Sequence, residues 1–387
     1  MRLHYAALLP LAIGCASSPR EADSPSLSAA GVADMGTFVV TLGRDTIAAE
    51  RFRFGRARID GEVVTRLRET VRRPYAMVFD DEGNPVRLEF STRRPTDTPA
   101  SPPLQTALIT LTRDTIVMET KRNDSTVIRR IPAPPGTVPL LGQSYASYAI
   151  LTRRAARSGV DSLQIPTWAV GAQRTDLFSV VRVNADTMKI IAPFGTMYAR
   201  VDADGRILGA HALGSTFKVV VARGPMTDLT AIAMMAAIPQ LSPRDTLRTS
   251  IGGANFTVTY SRPAKRGRAV FGGIVPWGEV WRTGANEATH FHTDKDLVIE
   301  GAVVPAGTYT LWTIPRPDGW TLIINKQTGQ WGTIYDSAQD LARVEMHVEA
   351  LAGPVDPFTI SVEPMEDGAA LRLKWDDREA WVPIEIR

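Results

Sequence analysis

The chain has 387 residues, of which 44% are hydrophobic and 22% are charged, and these ordinary globular proportions exclude a wholly disordered chain and a polytopic membrane protein. At roughly 100 to 200 residues per domain, the length predicts two domains, or three small ones. Residues 251–387 carry 13 basic and 18 acidic residues, whereas the whole chain carries 44 and 41, so the preceding region is basic. Its basic residues lie along strand-like segments without a nucleic-acid-binding motif, so nucleic-acid binding is not expected.

The first 15 residues have the pattern of a bacterial lipoprotein signal peptide. Arg2 precedes an apolar run, and Gly14 stands directly before Cys15, the only cysteine of the chain. The run is far shorter than the roughly 18 residues that a membrane-spanning helix needs. We predict that residues 1–14 are removed and that lipidated Cys15 anchors the protein in the bacterial cell envelope, on the outer membrane facing the periplasm. The alternative is a chance cysteine after an ordinary secretory signal.

The next region changes from an irregular segment to regular strands. Residues 15–35 are rich in Ser, Ala and Pro and predict a flexible tether. Between residues 36 and 240, period-two alternation predicts an antiparallel β domain, with helices near 143–157 and 226–238. A curved, half-barrel-like sheet wrapped over a helix would bury its apolar face. This outline is similar to that of periplasmic carriers of lipids and lipoproteins.

A polar segment at 240–250 predicts a linker, and the composition changes beyond it. Seven of the eight tryptophans lie after residue 250. Tryptophan at this density is typical of a core between packed sheets or of a ligand-binding face. About eight short strand signals predict a β-sandwich for residues 249–387. The predicted fold class is therefore mainly β throughout.

Three long runs of the C-terminal region resemble a known family. They are YSRPAKRGRAVFGGIVPWGEVWRTGANEAT at 260–289, VVPAGTYTLWTIP at 303–315 and WTLIINKQTGQWGTIYD at 320–336. Together they resemble the bacterial domain-of-unknown-function family numbered 2911, over about residues 249–365. Its members are largely exported bacterial proteins, often lipoproteins, whose biochemical role is unassigned. The resemblance implies an envelope protein and leaves the activity open.

The segment WRTGANEATH at 281–290 combines a tryptophan with an unusual density of polar residues. If Glu287 pairs with Arg282 or Arg262, the cluster pins a loop onto the sandwich. Otherwise these residues could form a polar pocket for a sugar or another small polar ligand, and Glu287 is also the one good candidate for a general base. The candidate ligand-binding residues are the basic Arg262, Lys265, Arg268 and Arg282, the polar Asn286 and Glu287, and the aromatic Trp281, Trp312 and Trp331.

Two histidines are the weak candidates for metal binding. His290 and His292 lie two apart on a predicted strand and would share one face, where Asp294 is the local carboxylate able to join them. A pair without a third nearby ligand is poor evidence for a site, so no metal and no cofactor are predicted. The chain also lacks the motifs of the common hydrolases, proteases and nucleotide-binding proteins.

These observations favour a lipid-anchored, non-catalytic envelope protein that binds or scaffolds a glycan, a lipid or an envelope partner. One alternative is a hydrolytic or glycan-processing enzyme with its site around Glu287. Another is a lipid carrier that uses the N-terminal half-barrel. The sequence leaves the ligand and the oligomeric state open.

Overall fold

The computed structural model describes residues 34–387 except for 194 and 213–217. Cys15, the predicted signal peptide and most of the predicted tether lie outside the described residues. The described residues include Asp34 and Met35, which the sequence assigns to the tether, and Asp34 is buried between the guanidinium groups of Arg153 and Arg223. The first strand starts directly after it, at Met35.

Fifteen strands form one large sheet in the N-terminal region. They are β1 (Met35–Leu42), β2 (Asp45–Phe54), β3 (Arg58–Thr65), β4 (Val71–Phe79), β5 (Pro85–Thr92), β6 (Gln105–Leu111), β7 (Thr115–Arg122), β8 (Ser125–Pro132), β9 (Val138–Leu140), β10 (Ser162–Ala169), β11 (Asp176–Arg182), β12 (Thr187–Ala192), β13 (Gly195–Val201), β14 (Ile207–His211) and β15 (Val220–Gly224). The spatial order runs from β8 back to β1 and then from β15 back to β9. Every neighbouring pair is antiparallel except β9 and β10. The sheet is not closed into a barrel, and its register joins β1 to β15 through pairs such as Val39 and Ala222.

Helix α1 (Tyr145–Ser158) packs against this sheet and completes its core. Ser144 caps the helix by accepting a hydrogen bond from the N–H of Ser147, and Gly159 ends it in the left-handed conformation with φ of 69°. The buried face of α1 carries Ala146, Ala149 and Leu151, which belong to the same hydrophobic core as the apolar side chains of the sheet. These bounds lie within two residues of those predicted from the sequence.

The second predicted helix is much shorter than its sequence pattern suggests. Only one turn forms, α2 (Thr230–Ala233), whereas the Ala/Met pattern predicts a helix over 226–238. The chain is held extended at the far end because Ile238 exchanges backbone hydrogen bonds with Arg66 and Arg68. Pairing with the N-terminal sheet therefore replaces the last helical turns.

Nine strands form the sheet of the C-terminal region. They are β16 (Arg244–Ile251), β17 (Ala254–Ser261), β18 (Thr289–Thr293), β19 (Leu297–Ile299), β20 (Ala302–Val304), β21 (Gly307–Arg316), β22 (Gly319–Asn325), β23 (Asp340–Met365) and β24 (Gly368–Ile386), with a short 3-10 helix (Ser337–Gln339) before β23. The strand order is β16, β17, β18, β21, β22, β23, β24, β19 and β20. All of these neighbours are antiparallel.

The long strand β23 makes this sheet fold over on itself. Its first part pairs with β22 and its later part only with β24, with register shifts on either side of Val355. The strands on the β22 side of the sheet and the later part of β23 then enclose one core. In this core Tyr260 of β17 meets Phe358 of β23 edge to face, with ring centroids 5.9 Å apart. The tyrosine hydroxyl also accepts the N–H of Ile360 at 3.0 Å. This is the sandwich-like arrangement that the sequence predicts.

The two sheets have separate hydrophobic cores but touch through a polar junction. Arg266 donates to the carboxylate of Asp45 at 2.6 Å, and its carbonyl oxygen accepts the N–H of Arg44 at 3.0 Å. A side chain at Gly43 would place its Cβ only 2.2 Å from that carbonyl oxygen, so the β1–β2 turn approaches as closely as glycine allows. Among the described residues, no helix has the length and apolar character needed to cross a membrane.

Candidate functional site

The polar loop singled out in the sequence, 281–290, is tightly fixed. Trp281 and Thr313 exchange backbone hydrogen bonds of 2.7 and 2.8 Å, and the indole N–H of Trp281 donates to the carbonyl of Gly284. Thr283 is fully buried with φ of 50°, a conformation that a β-branched residue rarely adopts. Its carbonyl accepts the hydroxyl of Thr289 at 2.6 Å. Such strain persists only where the surroundings impose it, and it is concentrated at functional sites.

The expected ion pair of Glu287 with Arg282 or Arg262 is not formed. Glu287 instead meets Arg244 of β16, with Oε2 and Nη1 3.2 Å apart, and both side chains are nearly half exposed. Such an exposed pair contributes little to stability. Glu287 is therefore a surface carboxylate, and this setting does not favour a general base.

Arg282 takes a different position, under the loop. Its Nε is buried and has no hydrogen-bond partner among the described residues, and burial lowers the pKa of its guanidinium. Gly332 makes room for it, because a Cβ at Gly332 would lie 2.3 Å from Cδ of Arg282. A buried polar atom without a partner is costly and calls for an explanation such as a bound ligand or water.

Two of the predicted ligand-binding residues, Arg262 and Lys265, form contacts with neighbouring parts of the chain. Arg262 donates to the carbonyl of Phe358, to the hydroxyl of Thr359 and to the carboxylate of Asp245. Lys265 binds Asp376 with Nζ and Oδ1 2.5 Å apart. Both side chains thus tie the loop after β17 to neighbouring strands.

The three tryptophans predicted to bind a ligand lie in three different surroundings. Trp281 is buried and stacks on Trp375 at 5.9 Å in the main C-terminal core. Trp312 is buried in a separate small cluster, where it packs against Tyr335. Trp331 alone exposes much of its surface, 45%. Of the three, Trp331 is the one available to a ligand from solvent.

The histidine pair shares a face of β18, as the alternation predicts, because Thr289, Phe291 and Thr293 are buried on the other face. Nδ1 of His290 lies 3.0 Å from the carbonyl of Ala288, and Nε2 accepts the N–H of Gly329 at 2.9 Å. Both ring nitrogens of His290 are thereby occupied. No group of three metal-ligating side chains is found within the described part of the chain.

An apolar cavity of about 410 Å³ lies beside the start of helix α1. We call it the apolar cavity; its walls are Gln143, Tyr145 and Tyr148 at the helix start, Phe178, Ile190, Ala192, Gly195, Thr196, Met197, Ala212 and Val219 on strands β11 to β15 and their connections, and Asn286 and Trp331 from the C-terminal region. Burial raises the pKa of Tyr148 to about 12, so the tyrosine hydroxyls here are neutral. The cavity has the size and lining of a small-molecule pocket.

One wall of the apolar cavity carries a polar atom without a partner. Gln143 precedes the N-cap of α1 and adopts φ of 63°. Its buried Oε1 has no hydrogen-bond partner among the described residues. An acceptor at the edge of an otherwise apolar pocket is well placed to orient a ligand that carries a donor.

A second cavity of about 310 Å³ adjoins the first and is basic. We call it the basic pocket; its charged lining consists of Lys218, Arg266, Arg268, Arg282 and Glu279. Arg266 is neutralised by Asp45, as described above. Arg268 donates hydrogen bonds to the carbonyls of Lys265 and Ala264. The pKa of Arg268 is lowered, mainly by burial and to a smaller extent by the positive charge of Arg266.

The charges of the basic pocket act on each other. The pKa of Lys218 is lowered, and burial is the largest cause. The positive charges of Arg268 and Arg282 lower this pKa further, whereas the negative charge of Glu279 raises it. Within the described residues neither Arg268 nor Arg282 has a carboxylate within ion-pair distance. Positive charge is therefore in excess in a partly buried cavity.

Asn286 connects the two cavities. It lines both of them, adopts φ of 60°, and its carbonyl accepts the N–H of Gly332 at 2.9 Å. Lys218 and Val219 are adjacent in sequence and line one cavity each, as do Thr333 and Trp331 on either side of Gly332. The apolar cavity and the basic pocket are thus neighbouring parts of one region.

Comparison with known families gives a match for the second sheet. Residues 242–384 match the family described as protein of unknown function (DUF2911). The resemblance seen in the sequence is thereby confirmed, and the match extends further in both directions than the three runs that indicated it. The family description assigns no activity.

The other comparisons add little. No curated protein matches the chain. Among solved structures, the crystal structure of a DUF1089 family protein from Pseudomonas aeruginosa is similar, with 13% identity over 43% of this chain and 90% of that chain. The TM-score of 0.32 is low.

Proposed function

We propose that this protein is a non-catalytic binding protein for an apolar ligand, which occupies the apolar cavity between helix α1 and the N-terminal sheet. The observation that carries the proposal is the cavity itself, about 410 Å³ in volume and walled by aromatic and aliphatic side chains. The sequence-based alternative of a lipid carrier agrees with this location. A hydrolase around Glu287 is not proposed, because that carboxylate is exposed and paired with Arg244.

The exposed ring of Trp331 supports a ligand that enters from solvent. Large exposed aromatic side chains at a cavity mouth are typical of binding sites. The backbone of Trp331 is fixed by a bridge to Glu287, so its ring is presented by a defined loop. An alkyl chain that enters the cavity would gain roughly 0.8 kcal/mol for each buried methylene group.

The test of this proposal fills the cavity and measures binding of an apolar fluorescent probe, N-phenyl-1-naphthylamine. Ala192 lines the cavity, whereas the preceding residue on β12, Ile191, is exposed on the opposite face. We expect Ala192→Phe to weaken probe binding at least tenfold and Ile191→Phe to leave it unchanged, with both variants folded by circular dichroism. Equal binding by Ala192→Phe and the unaltered chain would refute the proposal.

We further propose that the protein works at the surface of an envelope membrane, held by lipidated Cys15. The support is the sequence pattern that ends in Gly14 and Cys15, together with the exported character of the resembled family. Replacing Cys15 by Ser should move the protein from the membrane fraction to the soluble envelope fraction. Retention of Cys15→Ser on membranes at high salt would contradict the anchor.

A further inference from the structure

We infer that the ligand is an anionic amphiphile, with its chain in the apolar cavity and a phosphate or carboxylate head group in the basic pocket. This inference rests on the proposed function, since it assigns the chemical class of the same ligand. It adds a second, separate site for the head group. The two sites meet at Asn286, which lines both cavities.

The first argument is the charge of the basic pocket. Arg268 and Arg282 bring two positive charges to it that have no carboxylate within ion-pair distance among the described residues, and Lys218 also lines it. Glu279 supplies one negative charge at its exposed rim, and Arg266 is paired with Asp45. Like charges that share a partly buried site repel each other, and a bound anion would relieve that repulsion.

The second argument is the state of Arg282. Its Nε is buried without a hydrogen-bond acceptor among the described residues, although a guanidinium group offers five donors in a fixed fork. That fork matches the oxygens of a phosphate or a carboxylate. An anionic head group would supply the acceptor that Nε lacks among the described residues.

The third argument is the rigidity of the loop that carries Arg282. Thr283 and Asn286 both have positive φ, of 50° and 60°, and Gly332 leaves room for the arginine stem where a methyl group would collide with it. These features hold a buried cation in one place although it forms no ion pair with the described residues. Fixing charged donors before binding is what an anion site requires.

A neutral or a positively charged head group fits this arrangement poorly. A neutral head group would leave the excess positive charge uncompensated, and a cationic one would add to it. A free inorganic anion would use the basic pocket but not the apolar cavity. The geometry therefore favours a molecule that joins an alkyl chain to an anionic head group.

The experiment compares three ligands whose chains each have about twelve carbons, on the full protein. Dodecyl phosphate, glycerol monolaurate and dodecyltrimethylammonium are titrated below their micelle concentrations against the bound naphthylamine probe. We expect dodecyl phosphate to displace the probe at a concentration about tenfold or more below that of glycerol monolaurate, the effect of one charge-assisted hydrogen bond. The cationic ligand should be the weakest of the three.

Two variants with the same change of net charge locate the preference. Arg282→Gln should reduce the preference for dodecyl phosphate to about twofold or less and leave the displacement by glycerol monolaurate unchanged. Arg248→Gln, on the exposed side of β16, should preserve the preference. A similar loss in both variants would indicate only long-range attraction and would overturn the assignment to Arg282.

The remaining outcomes separate this inference from the proposed function. If the probe and glycerol monolaurate bind but dodecyl phosphate shows no preference, the head-group site is refuted and the apolar cavity stands. If the probe itself does not bind, the proposed function is refuted, and the inference that rests on it is refuted as well. Inorganic phosphate should compete with dodecyl phosphate and not with glycerol monolaurate; if it binds as tightly as dodecyl phosphate, the ligand is a free anion and the amphiphile is refuted.

Discussion

At the scale of single residues, the structure separates Arg282 from Glu287. The two lie five positions apart in sequence, which suggested a pair across the turn, but Glu287 points to Arg244 and Arg282 packs beneath Gly332. The partner of Glu287 lies on β16, whose position beside the loop depends on the folding of the whole sheet. No local spacing in the sequence contains that information.

This separation predicts the stability of the two variants. Glu287→Gln should change the free energy of unfolding by less than about 1 kcal/mol, because it breaks only an exposed ion pair. Arg282→Met should leave that free energy unchanged or raise it, since it replaces a guanidinium whose buried Nε has no partner among the described residues with an apolar side chain of similar length. Denaturant melts of the full chain measure both. A loss of more than about 2 kcal/mol in Arg282→Met would show that the guanidinium stabilises the fold.

His290 predicts how stability depends on pH. Burial holds the pKa of His290 below its usual 6.5, and its Nε2 accepts a hydrogen bond that the protonated ring could not accept. The unfolded chain therefore binds the proton more readily, so the contribution of His290 is present above pH 6.5 and is lost as the pH falls toward the lower folded pKa. The slope from one such proton is at most about 1.4 kcal/mol per pH unit.

The measurement is the free energy of unfolding between pH 7.5 and pH 5. His290→Gln should show a weaker loss on acidification than the unaltered chain. His292 lies on the same face but is exposed, so His292→Gln serves as the control and should keep the original slope. An unchanged slope in His290→Gln would mean that other groups govern this pH range.

At the scale of elements, the start of helix α1 depends on one carboxylate of strand β2. Glu50 is fully buried and accepts the hydroxyls of Tyr75 and Ser144 and the backbone N–H groups of Tyr145 and Ala146, at 2.6 to 2.9 Å. Burial raises the pKa of Glu50, and these four donors oppose that rise. The carboxylate fastens the helix to the sheet at the point where the apolar cavity begins.

Removing this carboxylate should loosen the helix. Glu50→Ala leaves four buried donors without an acceptor, and we expect the free energy of unfolding of the N-terminal region to fall by about 3 kcal/mol or more. Glu89→Ala on β5 is the control, because Glu89 forms an exposed pair with Arg87 and should cost less than about 1 kcal/mol. Denaturant melts followed by circular dichroism report both. Similar losses in the two variants would contradict the role of Glu50.

The elements themselves were predictable to different degrees. The alternation of apolar and polar residues predicted most strands and the shared face of His290 and His292. It did so because a strand with one buried face carries apolar residues at every second position. The segment GPVDP at 353–357 contains residues that usually interrupt a strand, yet β23 continues through it with register shifts against β24. Likewise the Ala/Met run near 226–238 looked helical, and pairing of Ile238 with the first sheet shortened the helix. Long-range pairing decided both cases.

The cavities were beyond the reach of local patterns. The apolar cavity is walled by Gln143, just before α1, by Tyr145 in α1 and by Trp331, which lies nearly 190 positions later in the sequence. The sequence indicated Trp331, Arg268, Arg282 and Asn286 as candidates, but it grouped them with Arg262 and Lys265, whose charges are used by neighbouring strands. Only the folded chain distinguishes a cation that is paired from one that is not.

At the scale of the whole molecule, the separation of the two cores predicts that the C-terminal sheet folds without the N-terminal one. The C-terminal core shares no residue with the N-terminal core, and the junction at Arg266 is made of polar and backbone contacts that water can replace. A fragment of residues 242–387 contains seven tryptophans and all nine strands of its sheet. We expect it to unfold in one cooperative transition by tryptophan fluorescence, with a midpoint close to that of the matching transition in the full chain. A gradual change without a folded baseline would show that the sandwich needs the first sheet.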